Sequence, residues 1–236
     1  MTARWSFPKL GTGFALAVWA IAFWYLIATD RVSLYFSSRT TWLAPMGAIA
    51  LTVAMAGQFL SARVSRHEPL TRRHLGTLLV LIVPALIITT SPPVSLGSFA
   101  VSRRSIATNG DYVSREGRNI SEGDLSLVDI FALNRSGELD KLAARAGSTS
   151  SFMGFVTKDP NDRAGEFRLN RFMISCCPGD AVPIQLRVVG TPPGGVVADT
   201  WVRITGSVYP VGEEVIVDAS DVDRVARPEH PYLNSN

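Results

Sequence analysis

Three long uncharged apolar stretches near the start of the chain constrain its fold more than any other feature. They are LGTGFALAVWAIAFWYLIA at 10–28, WLAPMGAIALTVAMAGQFL at 42–60 and GTLLVLIVPALIITTS at 76–91. A helix needs about 20 apolar residues to cross a bilayer. The first two stretches meet that length, and the third does so if it continues towards Gly97. The sequence therefore predicts a membrane protein with three N-terminal transmembrane helices within residues 1–92.

A cleaved signal peptide is the alternative interpretation of the first stretch, with Arg4 and Lys9 as its basic start. Signal peptides have an apolar region of about 7–15 residues, followed by a cleavage site of small residues. The first stretch is longer than that, and the sequence LIATDR that closes it is a poor cleavage site. An uncleaved anchor is the favoured interpretation.

The distribution of charge predicts how the helices are oriented. Residues 1–96 carry eight basic and two acidic side chains, and four of these arginines lie in the loop at 61–75. Short loops rich in arginine stay on the cytoplasmic side of a membrane. We therefore expect a multi-pass protein of the cytoplasmic (inner) membrane, with its N-terminus inside and everything after residue 92 extracytoplasmic. Residues 97–236 carry fifteen basic and eighteen acidic side chains, which excludes the basic surface that nucleic-acid binding requires.

The remainder of the chain predicts a tether and a mostly-β domain. Residues 93–123 are polar and aperiodic, which is typical of a tether. An extracytoplasmic domain is expected at 124–236, with short helices at 125–134 and 137–147 and then a pattern of period two. Five strands are predicted, at 150–159, 165–177, 182–190, 199–210 and 213–225.

Glycines inside two of these strands indicate how the sheet is shaped. Gly154 and Gly206 interrupt strand-like sequence, where glycine usually marks a bend, a bulge or a close approach of backbone. Five short, sharply bent strands are what a small Greek-key barrel requires. An OB-like five-stranded barrel is therefore the first prediction, and a small β-sandwich is the second.

This layout resembles a known family. The segments GFVTKDP, FRLNRFMISCCPGDAVPIQLRV, DTWVRITGSV and RPEHPYL, following three apolar stretches and a polar tether, are similar to the DUF1980 (YcgQ-like) family. The similarity is most specific over 152–232. The resemblance implies a subunit of a membrane complex, whose partner is a multi-spanning permease of the DUF318 (YcgR-like) type.

The only two cysteines of the chain, Cys176 and Cys177, are the candidate reactive residues. Consecutive strand residues point to opposite faces. Cys176 would then share the face of Phe172 and Ile174 and Cys177 the other, unless both cysteines lie at the end of the strand. A disulfide between neighbours closes a strained ring and is not expected.

Three interpretations of the cysteines remain open. A structural role is favoured, in which a cysteine packs as a small hydrophobe. The second is a divalent metal site that Asp180, His230 or a partner subunit completes, since two thiols alone do not close a zinc site. Thiol redox chemistry is the third, and the chain lacks the CxxC pattern that favours it. Arg171, Arg187 and Arg203 recur at similar places in three strands, and a solvated polar stripe with Asp180 and Asp199 is favoured over an anion-binding face.

The apolar stretches themselves predict a docking unit rather than a transporter. No acidic, basic or histidine residue lies within them, so they provide no ion relay. Small residues let helices approach closely, and a proline inside a helix frees a carbonyl that a neighbour must satisfy. The candidate docking residues are Gly47, Ala50, Ala54, Gly57 and Pro84.

The predicted function is that of a non-enzymatic accessory subunit of a cytoplasmic-membrane permease complex. Its partners would be the DUF318-type permease and membrane lipid, with no nucleic acid. One alternative is a stand-alone membrane-tethered protein that handles metals or thiols. The other is a membrane-anchored module that binds an envelope ligand.

Overall fold

The chain forms two compact units, Met1–Val94 and Ser95–Asn236. The computed structural model describes residues 4–64, 71–91, 95–103, 125–191, 195–212 and 214–234. The predicted tether at 93–123 lies outside the described residues, apart from 95–103. The middle of the basic loop, residues 65–70, also lies outside them.

The first unit contains three helices and a two-stranded ladder. They are β1 (Arg4–Trp5), α1 (Phe7–Ala28), α2 (Leu43–Ser61), β2 (Arg63–Val64) and α3 (Arg72–Thr90). Helix α1 packs against both α2 and α3. Strands β1 and β2 pair antiparallel, so the residues before α1 and those after α2 lie at the same end of this helix pair.

The three helices expose their large apolar side chains and bury small ones. Helices α1 and α2 are long and apolar enough to cross a membrane, by length and composition, whereas the apolar part of α3 is shorter, His74–Thr90. The buried positions of α1 and α2 are mostly glycine and alanine. The exposed side chains include Phe14, Ile21, Met46, Ile49, Val53, Leu60, Leu79, Val80 and Ile87. A core helix of a soluble protein shows the reverse pattern, so this surface indicates membrane association.

Among the described residues of the second unit, three short helices precede the barrel. Helix α4 (Ser98–Arg103) was not expected from the polar sequence around it. Helix α5 (Leu127–Ser136) begins with a capping box, in which Ser126 and Asp129 satisfy each other's backbone N–H groups. Helix α6 (Leu139–Ala143) ends four residues before Gly147, so it is shorter than predicted.

The predicted five-stranded barrel is confirmed. Its strands are β3 (Thr149–Thr157), β4 (Phe167–Ile174), β5 (Val182–Val189), β6 (Trp201–Val211) and β7 (Glu214–Arg224). They pair in the order β3-β6-β7-β5-β4, and a pairing between β3 and β4 closes the sheet. Every pair is antiparallel except β5 with β7. This is the connectivity of an OB-like barrel. A short strand β8 (Leu233–Asn234) adds to β4 in parallel.

The two interior glycines occupy the positions that a bent strand requires. A Cβ on Gly154 would lie 2.5 Å from the backbone oxygen of Asn170, and a Cβ on Gly206 would collide with the backbone oxygen of Asp218. The register of β6 against β7 also shifts between Thr205 and Gly206. Glycine is therefore used here for close backbone approach and for a bulge.

Two apolar clusters hold the second unit together. The larger one fills the barrel and includes Leu127, Ile130, Leu133 and Leu142 from α5 and α6. The smaller one joins Phe155, Phe172, Ile174, Trp201 and Tyr232, with side chains of α4 packed against it. Strand β4 is consequently covered on both faces near its end, where Phe172, Met173 and Ile174 are all buried.

Candidate functional site

The two cysteines lie on a loop that hydrogen bonds to the carboxylate of Asp180 hold together. Strand β4 ends at Ile174. Asp180 then accepts hydrogen bonds from the backbone N–H groups of Ser175, at 3.1 Å, and Cys176, at 2.8 Å. A short 3₁₀ turn, Pro178–Asp180, follows the two cysteines and contains this aspartate. The ladder stops here because a side chain, and not a neighbouring strand, binds these two donors.

Both cysteines lie beyond the end of the strand, which is the second of the two placements that the sequence left open; the first, on opposite faces of the strand, is wrong. Cys176 is exposed and Cys177 is half-buried. The alternation rule fails because both faces of β4 are covered up to Ile174 and the chain has already left the sheet at Ser175. The two thiols form no disulfide, since their Sγ atoms are 3.6 Å apart and a disulfide bond measures about 2.05 Å.

The loop keeps the thiol of Cys176 protonated. The hydrogen bond with Asp180, followed by the one with Cys177, raises the pKa of Cys176 to about 11. The thiolate is the form that attacks electrophiles and binds metals. At neutral pH the thiol of Cys176 is therefore protonated, and a metal would have to displace its proton.

The structure brings Asp180 to the cysteines but not His230. His230 is exposed, and its backbone carbonyl accepts a hydrogen bond of 2.8 Å from Arg171. Within the part of the chain that the structure describes, no group of three histidine, cysteine, aspartate or glutamate side chains could hold a metal ion. A metal site at Cys176 and Cys177 stays a prediction, with Asp180 as the carboxylate that the structure places beside them.

The small residues of α2 divide between an internal contact and an open face. Gly47 lies against α1, where an added Cβ would be 3.1 Å from the ring of Phe23. Ala50, Ala54 and Gly57 are exposed, and an added Cβ at Gly57 would meet nothing within 4 Å. Gly47 is thus used within the chain, and the other three residues leave room for a further helix.

Pro84 lies inside α3 and is exposed. The indole N–H of Trp19 in α1 donates a hydrogen bond of 2.8 Å to the carbonyl of Leu81, three residues before this proline. Proline lacks the N–H that would bond to the carbonyl four residues earlier, which here is that of Val80. The bond from Trp19 goes to the adjacent carbonyl of Leu81, so a neighbouring donor for the freed carbonyl stays a prediction.

A cavity of about 300 Å³ lies between the start of α5 and the barrel surface. The sequence did not predict it. Arg171 and Arg203 line it, together with the apolar side chains of Leu127, Met153 and Leu233. The recurrence of arginine in successive strands was the available signal. It could not show that helix α5 and strand β8 close a pocket around two of them.

The described structure defines a protein with a helical unit, two of whose helices are long and apolar enough to cross a membrane, and an OB-like barrel that carries two adjacent thiols outside any disulfide. Residues 139–234 match the family model described as DUF1980 C-terminal domain. This range contains α6, all strands of the barrel and the cysteine loop, so the resemblance to DUF1980 is confirmed over the barrel. No curated protein matches the chain.

Proposed function

We propose that the chain is an accessory subunit of a permease complex, anchored by its helices and working through its barrel. The observation that carries the proposal is the open face of α2, where Ala50, Ala54 and Gly57 are exposed among large apolar side chains. Small residues on a lipid-accessible helix let another helix approach closely. The match of the barrel to the DUF1980 C-terminal domain supports the same assignment.

The helices suit docking better than transport. Helix α2 and the stretch of α1 after Lys9 contain no acidic, basic or histidine side chain, and a transport path through helices needs such groups. The transport path is then formed by the partner protein. We propose a multi-spanning permease of the DUF318 type, with membrane lipid covering the remaining apolar surface and α3 as a third span.

The proposed orientation places the N-terminus and the loop after α2 inside, and the barrel on the extracytoplasmic side. Arginine-rich short loops support it, and so does the β1–β2 ladder, which joins two segments assigned to the same side. Fusions to a reporter that is active only outside the cytoplasm test it. A fusion at residue 236 should be active and one at residue 68 inactive; the opposite pattern would refute the orientation.

The docking proposal is tested by purifying the tagged full chain in a mild detergent and probing for the permease. Ala54→Leu should reduce the co-purified permease at least tenfold, because the larger side chain fills the close-packing face. Ala56→Leu is the matched control, since Ala56 is an equally small, exposed residue on a different face of the same helix. Equal recovery with both variants, or no permease with the unmodified chain, would contradict the proposal.

A second function, the handling of thiol-seeking metals, is favoured by the 3.6 Å separation of the Sγ atoms of Cys176 and Cys177. Two neighbouring thiols can bind a soft metal ion as thiolates. The test compares the metal content of the purified full chain with that of a double variant, Cys176→Ser with Cys177→Ser. A stoichiometric metal that is lost in the double variant would support this function, and equal metal content would oppose it.

A further inference from the structure

The pocket beside α5 combines two cations with an apolar surface. Its cationic members are Arg171 of β4 and Arg203 of β6. Its apolar members include Leu127 of α5, Met153 of β3 and Leu233 of β8. Met153 and Arg203 are direct neighbours across the β3–β6 ladder, so an apolar and a charged side chain stand next to each other on one wall.

Neither arginine is neutralised by a described carboxylate. Arg171 directs its guanidinium to two backbone carbonyls, with Nε 3.1 Å from the oxygen of Pro231 and a terminal nitrogen 2.8 Å from that of His230. It also lies over the ring of Trp201, at 6.0 Å. Burial lowers the pKa of Arg171, which is the response of a cation that has lost water without gaining an anion.

Arg203 is the more available of the two cations. Its side chain makes no hydrogen bond and no ion pair with any residue that the structure describes. Asp223 lies opposite it in the β6–β7 register, and no ion pair joins the two among the described residues. The described residues that line the pocket include no carboxylate. The pocket therefore has an excess of positive charge on one wall.

The size of the pocket limits the ligand. A cavity of about 300 Å³ lies at the lower end of the range for small-molecule sites. Guanidinium groups bind carboxylates and phosphates through paired N–H donors, and the leucine and methionine side chains exclude a ligand that is charged throughout. We propose that this pocket binds a small organic anion, a carboxylate or phosphate on a short apolar group, a role beyond the accessory function proposed above.

A purely structural role for Arg171 does not explain the site. Its two bonds to the segment 230–231 fasten the end of the chain to β4, but they use neither Arg203 nor the apolar wall. An unpaired second arginine on the same cavity adds electrostatic repulsion to the folded state, and a bound anion would relieve it.

The test titrates the full chain in neutral detergent with butyrate, butyl phosphate, n-butanol and inorganic phosphate, and follows binding by calorimetry. At least one of the two organic anions should bind saturably, and at least about tenfold more tightly than n-butanol, since a charge-assisted hydrogen bond contributes more than one factor of ten. Arg203→Gln should weaken that binding about tenfold, and Arg203→Lys should restore part of it. Arg224→Gln, which removes the same charge from an exposed arginine of β7, should leave it unchanged.

Three outcomes would overturn the proposal. They are the absence of saturable binding by both organic anions, equal binding in Arg203→Gln and the unmodified chain, and tighter binding of inorganic phosphate than of either organic anion. The unfolding temperature of Arg203→Gln, measured in parallel, should match that of the unmodified chain because its side chain bonds to nothing described. These results do not depend on whether a permease co-purifies.

Discussion

The two units of the chain place their large apolar side chains in opposite positions. In the barrel unit, Phe152, Leu169 and Ile204 are buried, whereas most of the described charged residues are exposed. In the helical unit, Leu60 is 80% exposed and Val80 is 73% exposed. The hydrophobic effect buries the apolar side chains of the barrel unit as it does in any soluble domain. It cannot account for the exposed apolar side chains of the helical unit in water, so the two units are built for different solvents.

Glycine and alanine also serve different purposes in the two units. In the helical unit they let helices pack closely, and the ring of Phe23 in α1 packs against Gly47 of α2. In the barrel they let backbone segments cross, as when Gly154 lies under the carbonyl of Asn170. Side-chain packing tolerates adjustment, whereas two backbone segments cannot move apart without breaking the sheet. The same substitution should therefore have unequal effects in the two units.

The largest expected effect tests the difference in solvent directly. Val53→Arg places a charge on the exposed apolar face of α2 and should oppose membrane insertion by about 3 kcal/mol. Val211→Arg is the matched control, because Val211 is 55% exposed in the barrel unit against 66% for Val53. The membrane-bound fraction after cell lysis should fall for Val53→Arg alone. Equal fractions for both variants would mean that α2 does not face lipid.

The next effect concerns the backbone crossing at Gly154. Gly154→Ala places a Cβ 2.5 Å from the oxygen of Asn170 and should destabilise the barrel by about 2 kcal/mol, as overpacking does. Gly57→Ala is the control, since a Cβ there meets nothing within 4 Å and alanine favours a helix. Thermal unfolding followed by circular dichroism in the β region measures both. An unchanged unfolding temperature for Gly154→Ala would show that the strands can separate.

The extent to which the sequence predicted the fold follows from how local each signal is. The five strands were predicted because alternation and glycine are readable along a few residues, and the observed strands, from Thr149–Thr157 to Glu214–Arg224, overlap every predicted one. Helix α4 was missed because its stability comes from packing on Phe155 and Trp201, which are distant in sequence.

The site was less predictable than the fold, for a related reason. Alternation assigns faces only while a strand lies on a half-buried sheet. Strand β4 is covered on both faces, and the Asp180 carboxylate ends it at Ile174, so the face assigned to Cys176 is wrong. The pocket at Arg171 and Arg203 depends on α5 and β8, whose positions no local pattern contains.

A smaller effect is expected from the carboxylate that organises the cysteine loop. Asp180→Ala leaves two backbone N–H groups without their acceptor, a partly buried one at Ser175 and an exposed one at Cys176, and should cost about 1 kcal/mol of barrel stability. It should also return the pKa of Cys176 from about 11 towards that of an ordinary thiol, because the carboxylate is the main cause of the rise. A lower pKa means more thiolate at about pH 8, about tenfold for each pKa unit, and the lower intrinsic nucleophilicity offsets about half of that gain on a logarithmic scale.

Alkylation by iodoacetamide at about pH 8 measures this change, in a Cys177→Ser background that leaves Cys176 as the reactive thiol. The rate should rise at least about threefold in Asp180→Ala. Asp162→Ala is the control, because Asp162 also accepts a backbone N–H, that of Asp159 at 2.7 Å, in a loop of the same barrel. A rate that stays constant in Asp180→Ala, or rises equally in both variants, would remove Asp180 as the cause.

The smallest expected effect is that of Cys176→Ser on stability. An exposed cysteine at the end of a strand contributes little apolar burial, so the free energy of unfolding should change by less than about 0.5 kcal/mol. Met173→Ala, three residues earlier in the same chain segment, removes a fully buried side chain and should cost about 2 kcal/mol or more. Chemical unfolding of the two variants locates the edge of the core between these residues. A loss above about 1 kcal/mol for Cys176→Ser would place the cysteine loop inside the barrel's core. A silent Cys176→Ser confines the thiols to the surface, where any contribution they make must come from what they bind.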